Sequence, residues 1–123
     1  MKSVKELKVY KMAFQISLDI YKLTERFPRV EQFGLVSQMR RAAVSICSNL
    51  VEGASRGTTK DYLHFVHVAK GSASELGCQI DLSAALGFIR EPFAKKLKSD
   101  INEILRMLSG LVNTLTLTTN TNH

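Results

Sequence analysis

In KVYKMAFQISLDIYKLTERF, residues 8–27, Val9, Met12, Ile16, Ile20, Leu23 and Phe27 recur at spacings of 3-4-4-3-4. That period aligns them down one side of an α helix. Leu7, Tyr10, Phe14 and Tyr21 form a second apolar line beside the first, so the helix presents a face wide enough for two neighbours. Pro28 ends it, because the residue before a proline is pushed out of the α region.

The same period runs through the rest of the chain. Leu35, Met39, Ala42, Ala43, Ile46 and Leu50 share a face of a second segment that should stop between Gly53 and Gly57. Thr58 and Asp61 have the spacing of a capping box and open a third, which carries Tyr62, Phe65, Val66, Ala69, Ala73, Leu76 and Ile80. Pro92 stands where a fourth helix would take its first residue, followed by Phe93, Leu97, Ile101, Ile104, Leu108, Leu111 and Leu115. Helices are expected at about 4–27, 34–54, 59–89 and 92–116, with a polar, β-branched tail at 117–123 that should fray. No alternating strand pattern competes. The expected fold is all-α, one domain built as an antiparallel, up-down-up-down four-helix bundle.

Composition narrows the function classes. The 123 residues hold 17 Lys and Arg against 11 Asp and Glu, a net charge of +6, with 45% apolar residues. That is a folded chain, long enough to bury a core without disulfide or metal staples. Two cysteines, Cys47 and Cys78, cannot build a disulfide framework or complete a zinc site. No apolar run approaches the roughly 18 residues of a membrane span, and MKSVKELKVYKM lacks the apolar core of a secretory signal. A cytoplasmic protein with no membrane partner is the expectation.

The third segment is too apolar for a helix with a solvated side. Residues 59–89 contain five charged side chains, Lys60, Asp61, Lys70, Glu75 and Asp81. The outer side holds Val68, Gly71, Ser72, Gly77, Cys78, Leu82 and Gly87 instead. Small and apolar residues on more than one face predict burial on more than one face, hence a homo-oligomer interface.

Polar residues interrupt the apolar faces of the second and third helices. Arg41, Ser45, Ser48, Asn49 and Glu52 form one stripe; Ser72, Glu75 and Gln79 form a matching one. Antiparallel helices would bring Arg41 to Glu75. Glu52 and Glu75 could serve as paired carboxylates in a catalytic cavity, but no cleft or substrate pose is evident, and a mutually satisfied network that fixes register is favoured. His64 and His67 are two ligands without a third. Residues 52–57 resemble a phosphate loop but lack its lysine and the preceding strand; Arg56, Lys60 and the free amides opening helix three could at most hold an anion. No catalytic residue, metal or cofactor is expected.

The positive charge is unevenly spread. Residues 1–33 carry seven bases and four acids, 34–57 three and one, 58–90 three of each, and 91–123 four and three. Lys5, Lys8, Lys11, Arg26, Arg29, Arg40, Arg56 and Lys60 are the candidates for a nucleic-acid contact. Charge alone leaves a solvated basic face and a polyanion-binding one equally open. No recognition helix or RNA-stacking signature accompanies it.

Longer runs carry a family resemblance. Glu31-Gln32-Phe33-Gly34-Leu35, Gln38-Met39-Arg40-Arg41-Ala42-Ala43-Val44-Ser45-Ile46 and Ser48-Asn49-Leu50-Val51-Glu52-Gly53 resemble the signature of bacterial four-helix bundle proteins encoded in intervening sequences of 23S ribosomal RNA genes. Arg56-Gly57, Tyr62, Phe65, Ala69, Gly71-Ser72, Glu75-Leu76 and Leu86-Gly87-Phe88-Ile89 extend it, so that it covers about residues 7–115. Leu50, Val51 and Cys47 depart from the usual residues; the family often has proline at Cys47, so the helix here should be smoother. The resemblance implies a homo-oligomer, a closed pentameric ring, and does not imply an enzyme. The family is similar to the accessory variability determinant of diversity-generating retroelements, a basic pentamer that binds a reverse transcriptase and nucleic acid. Arg41, Asn49, Glu52, Gly71, Ser72 and Glu75 match the family's polar motif and, with Ser45, are read as an intra- and inter-subunit network. The expected partners are further copies of the chain and RNA, DNA or a nucleic-acid enzyme; the alternative is an interaction module with no nucleic-acid ligand.

Overall fold

A computed structural model describes residues 3–121. Four helices make it up: α1 (Lys8–Thr24), α2 (Ser37–Ser55), α3 (Thr59–Ala85) and α4 (Glu91–Thr121), with no strand among the described residues. α2 packs against α3, α3 against α4, and α1 against both α2 and α4, the closed arrangement of a four-helix bundle. Ile16 and Ile20, Met39, Ile46 and Leu50, Leu76 and Ile80, and Ile101, Ile104 and Leu108 meet in a core sealed from solvent. Each such side chain is worth about 1.5–3 kcal/mol of burial, so the apolar line sets each helix's orientation.

The helix ends differ from the sequence expectation, each for a local reason. The first helix does not begin at residue 4: Val4–Glu6 is a single 3-10 turn, and Leu7 is extended before α1 starts at Lys8. It stops at Thr24, whose hydroxyl donates 2.7 Å to the Ile20 carbonyl, and Pro28 is extended at φ −54°, ψ 139°. The second helix is regular only from Ser37, because Gly34 breaks the turn before it with φ −110°, ψ −107°. The Glu31 carboxylate accepts from the Leu35 N–H across that break, at 3.3 Å. The Thr58 hydroxyl accepts from the Asp61 N–H at 3.1 Å, so half of the expected capping box forms.

α3 closes at Ala85, not at 89. Gly87 takes φ +81°, and the N–H groups of Gly87 and Phe88 bond the carbonyls of Ala84 and Ser83. This double reverse bond is how a left-handed glycine ends a helix. α4 in turn outruns its expected end. Residues 117–121 are helical, and the hydroxyls of Thr114, Thr116 and Thr118 bond carbonyls one turn back, at 3.1, 2.7 and 3.0 Å. Residues 122 and 123 of the expected tail lie outside the described residues. α3 and α4, with 27 and 31 residues, are longer than α1 and α2, with 17 and 19.

α2 comes very close to α3 at Gly53. A Cβ there would lie 2.8 Å from the Phe65 Cβ and 3.1 Å from the Tyr62 ring. Gly53→Ala is therefore expected to destabilise the protein by roughly 1–3 kcal/mol through overpacking. Gly110→Ala, with nothing within 4 Å of the added carbon, should stabilise by about 0.5–1 kcal/mol through helix propensity. Urea unfolding of the two variants checks the contrast; equal effects would mean that α2 and α3 are not this close.

Candidate functional site

Two surfaces stay apolar and uncovered. On α1, the second apolar line is only partly buried: Phe14 is 51% exposed, and Leu18 and Tyr21 are exposed as well. Phe14 and Leu18 face Val44, Ser48 and Val51 of α2 across a groove between the two helices. On α3, the outer side carries His64, Val68, Gly71, Glu75, Cys78 and Leu82 at spacings of 4-3-4-3-4, all exposed. Gly77, expected there too, belongs to the core, with its Cα side against Ile101 of α4. A solvated stripe at that spacing would carry lysines and glutamates; this one has a single carboxylate.

Between these surfaces runs a polar chain. The Asn49 side-chain amide donates to the Ser45 carbonyl and hydroxyl at 2.8 and 2.9 Å. Ser45 and Ser72 share a hydroxyl hydrogen bond of 2.8 Å across α2 and α3, and Ser72 donates to the Val68 carbonyl at 3.2 Å. One proton order satisfies them all: Asn49 to Ser45, Ser45 to Ser72, Ser72 to the backbone. Aligned donors of this kind strengthen one another. The Gln79 amide donates to Glu75 at 3.1 Å, while its own oxygen is buried without a partner.

The expected Arg41–Glu75 ion pair does not form. Both side chains are exposed at the mouth of a shallow cleft that also exposes Gln38, Ser45 and Ser72. Glu52 instead pairs with Arg56 one turn on, at 2.7 Å. The Ser45–Ser72 bond sets Glu75 near the level of residue 42, about 15 Å along the axis from Glu52, so the two carboxylates are not a pair. Gly71 is exposed with nothing within 4 Å of its missing side chain.

The basic candidates fall at two ends of the molecule. Lys5, Lys8 and Lys11 begin the chain beside the end of α2, near Arg56 and Lys60. Arg26, Arg29 and Arg40 lie at the other end, about 27 Å from Lys8 at the rise of an α helix. The Phe27 and Phe88 rings meet at that second end, 5.4 Å apart. Two of the candidates have other duties. Arg40 donates to the Thr24 hydroxyl at 2.9 Å and the Tyr21 carbonyl at 3.2 Å, closing the end of α1, with its guanidinium 4.5 Å above the Tyr21 ring. Arg56 is shared between Glu52 and the Phe65 ring, 5.0 Å away. Lys5, Lys8, Lys11, Arg26, Arg29 and Lys60 are exposed and hold no ion pair among the described residues.

Sequence reasoning missed the connection between α1 and α2. Val30 and Phe33 project from it, 86% and 91% exposed. Phe33 stands in the run that carries the family resemblance, but no periodic apolar partner marks its side chain as exposed. Cys47 is half-buried and bonds Ser17, and burial pushes its thiol up to about 11, which makes it a packing residue. His64 and His67 are exposed, and no group of three or more His, Cys, Asp or Glu among the described residues would hold a metal ion. No helix among the described residues is long and apolar enough to cross a membrane.

The polar chain predicts unequal costs. Ser45→Ala breaks it in the middle and should cost about 1 kcal/mol. Arg41→Leu, at an exposed and unpaired site, should cost under about 1 kcal/mol. Thermal or urea unfolding measures both, and a larger loss for Arg41→Leu would restore the ion pair.

The model of the 23S rRNA-intervening sequence protein family matches residues 5–110. A solved structure from the S23 ribosomal protein family of Bacteroides thetaiotaomicron, a protein of unknown function, superposes with a TM-score of 0.76. It is 20% identical, and the match covers 85% of this chain and 97% of that one, which establishes a shared fold. No curated protein matches the chain. The family model spans most of the sequence, and the chain belongs to the 23S rRNA-intervening sequence protein family.

Proposed function

We propose that the protein is a non-enzymatic assembly module, whose copies join head to tail and present their basic ends to nucleic acid. The observation that carries this reading is the pairing of two uncovered surfaces on one chain, the α1–α2 groove and the outer stripe of α3. The groove carries the aromatic rings of Tyr10 and Phe14, the stripe Val68, Gly71, Cys78 and Leu82, and the two lie on different faces of the bundle. A contact between different faces of identical copies repeats, and it closes into a ring where the rotation allows. Five copies is the number the family resemblance implies. The pairs Met39–Ser83, Ser45–Ser72 and Gly53–Phe65 ascend along α2 as they descend along α3, which supports helices that alternate in direction.

The nucleic-acid part rests on the unpaired cations at both ends, which a ring would multiply around two rims. Copies arranged in this way act as a scaffold rather than a catalyst, and the cytoplasm is the compartment the reading requires.

Light scattering at micromolar concentration should give a mass well above that of one chain; a monomer overturns the assembly. Leu82 is 50% exposed, so Leu82→Glu should leave helicity intact and dissociate the copies. Cys78 supplies a second readout on the same stripe. In the assembly both thiols should resist alkylation at pH 8, whereas in the Leu82→Glu variant Cys78 alone should react. Burial raises the Cys47 pKa from 9.0 to about 11 and so cuts its thiolate fraction below pH 9 by roughly a hundredfold. Fast Cys78 modification in the unaltered protein would leave the stripe uncovered.

A further inference from the structure

We infer that the α1–α2 connection is a stacking platform for single-stranded nucleic acid, an inference that rests on the nucleic-acid reading above and gives it a location. The two basic ends differ in chemistry. Lys5, Lys8, Lys11 and Lys60 dominate one of them, and lysine meets a phosphate as a hydrated point charge. Residues 25–41 hold four arginines, two glutamates and no lysine. Arginine is planar, stacks on rings and grips phosphate with two donors.

Phe33 stands in the middle of this arginine end, 91% exposed, with Val30 beside it at 86%. Arg26, Arg29 and Arg41 are exposed and unpaired among the described residues. Phe33 and Arg41 share the wall of one hollow with Tyr21 and Gln32. Of the two carboxylates, Glu31 is engaged with the Leu35 N–H, which leaves Glu25 as the one facing outward. The Arg40 guanidinium already stacks on Tyr21, 4.5 Å from the ring, showing the same pairing of planes within the protein.

An aromatic face flanked by unpaired arginines matches an unstacked base with its flanking phosphates. A duplex hides its base faces inside the stack and offers Phe33 nothing to cover it. The same end of a second copy would bring arginine to arginine. Polyphosphate with exposed bases is the occupant that satisfies both the ring and the charges.

Fluorescence anisotropy with a labelled oligothymidylate of about 20 nucleotides and a duplex of equal length tests this on the full chain. The single strand should bind more tightly. Phe33→Ser, at a site too exposed to unfold the protein, should weaken the single strand about tenfold with its salt slope unchanged, and Phe33→Tyr should restore it. Arg26→Ser with Arg29→Ser should lower the slope by about 1.4 if each meets one phosphate. No binding of either probe at 50 mM salt overturns the nucleic-acid reading and this inference together. Binding that survives Phe33→Ser but is lost on charge reversal at Lys5, Lys8 and Lys11 keeps that reading and overturns the platform. A Phe33→Ser variant of lower mass in light scattering also overturns it, since the connection would then contact a second copy.

Discussion

The close packing of α2 on α3 sets everything else in this molecule. It is held at three levels: Gly53 against Tyr62 and Phe65, Ser45 bonded to Ser72, and the Ser83 hydroxyl on the Met39 sulfur at 3.4 Å. Steric fit fixes the first level, hydrogen-bond direction the second, and core burial the third. A helix pinned at three heights cannot rotate about its axis. Because α3 cannot rotate, Val68, Gly71, Cys78 and Leu82 are held outward. Because α2 cannot, Val44 and Val51 are committed to the groove beside α1. The two uncovered surfaces are thus a product of the interior.

The same packing divides the polar residues by role. Asn49, Ser45 and Ser72 are spent on one another and on the backbone. Arg40 is spent on the end of α1, while Arg41, about 100° further around the helix, is free. Two adjacent arginines that read alike in sequence therefore do opposite things. One neutralises carbonyl dipoles that the end of α1 leaves open, and the other projects its charge into solvent.

Most of the architecture was legible in the sequence because it is written in a period. The apolar lines of the helices turn to the core where spacing put them, apart from Phe93 at the start of α4, which is 54% exposed, and the resemblance carried by residues 31–53 agrees with the family match. What escaped depends on single backbone torsions or on which of several partners wins. Gly87 ends α3 early, and Gly34 delays α2, because a glycine can leave the helical region without a signal in its neighbours. Glu52 had two candidate roles, and a local arginine one turn away took it before any distant partner could. Phe14 and Tyr21 fitted the helical period but lie where no fourth neighbour arrives, so periodicity alone overstated their burial. The exposure of Phe33 escaped for the opposite reason, the residue being apolar without any period.

The place of the α1–α2 connection has an evolutionary consequence. α2 and α3 finish level at that end, where the Ser83 hydroxyl meets Met39, and the connection is anchored inward there by Phe27, Leu35 and Val36. Its outward residues touch no core side chain. Descendants of this chain can therefore lengthen, shorten or recolour the connection without repacking the interior, and so exchange one binding partner for another while the scaffold stays constant.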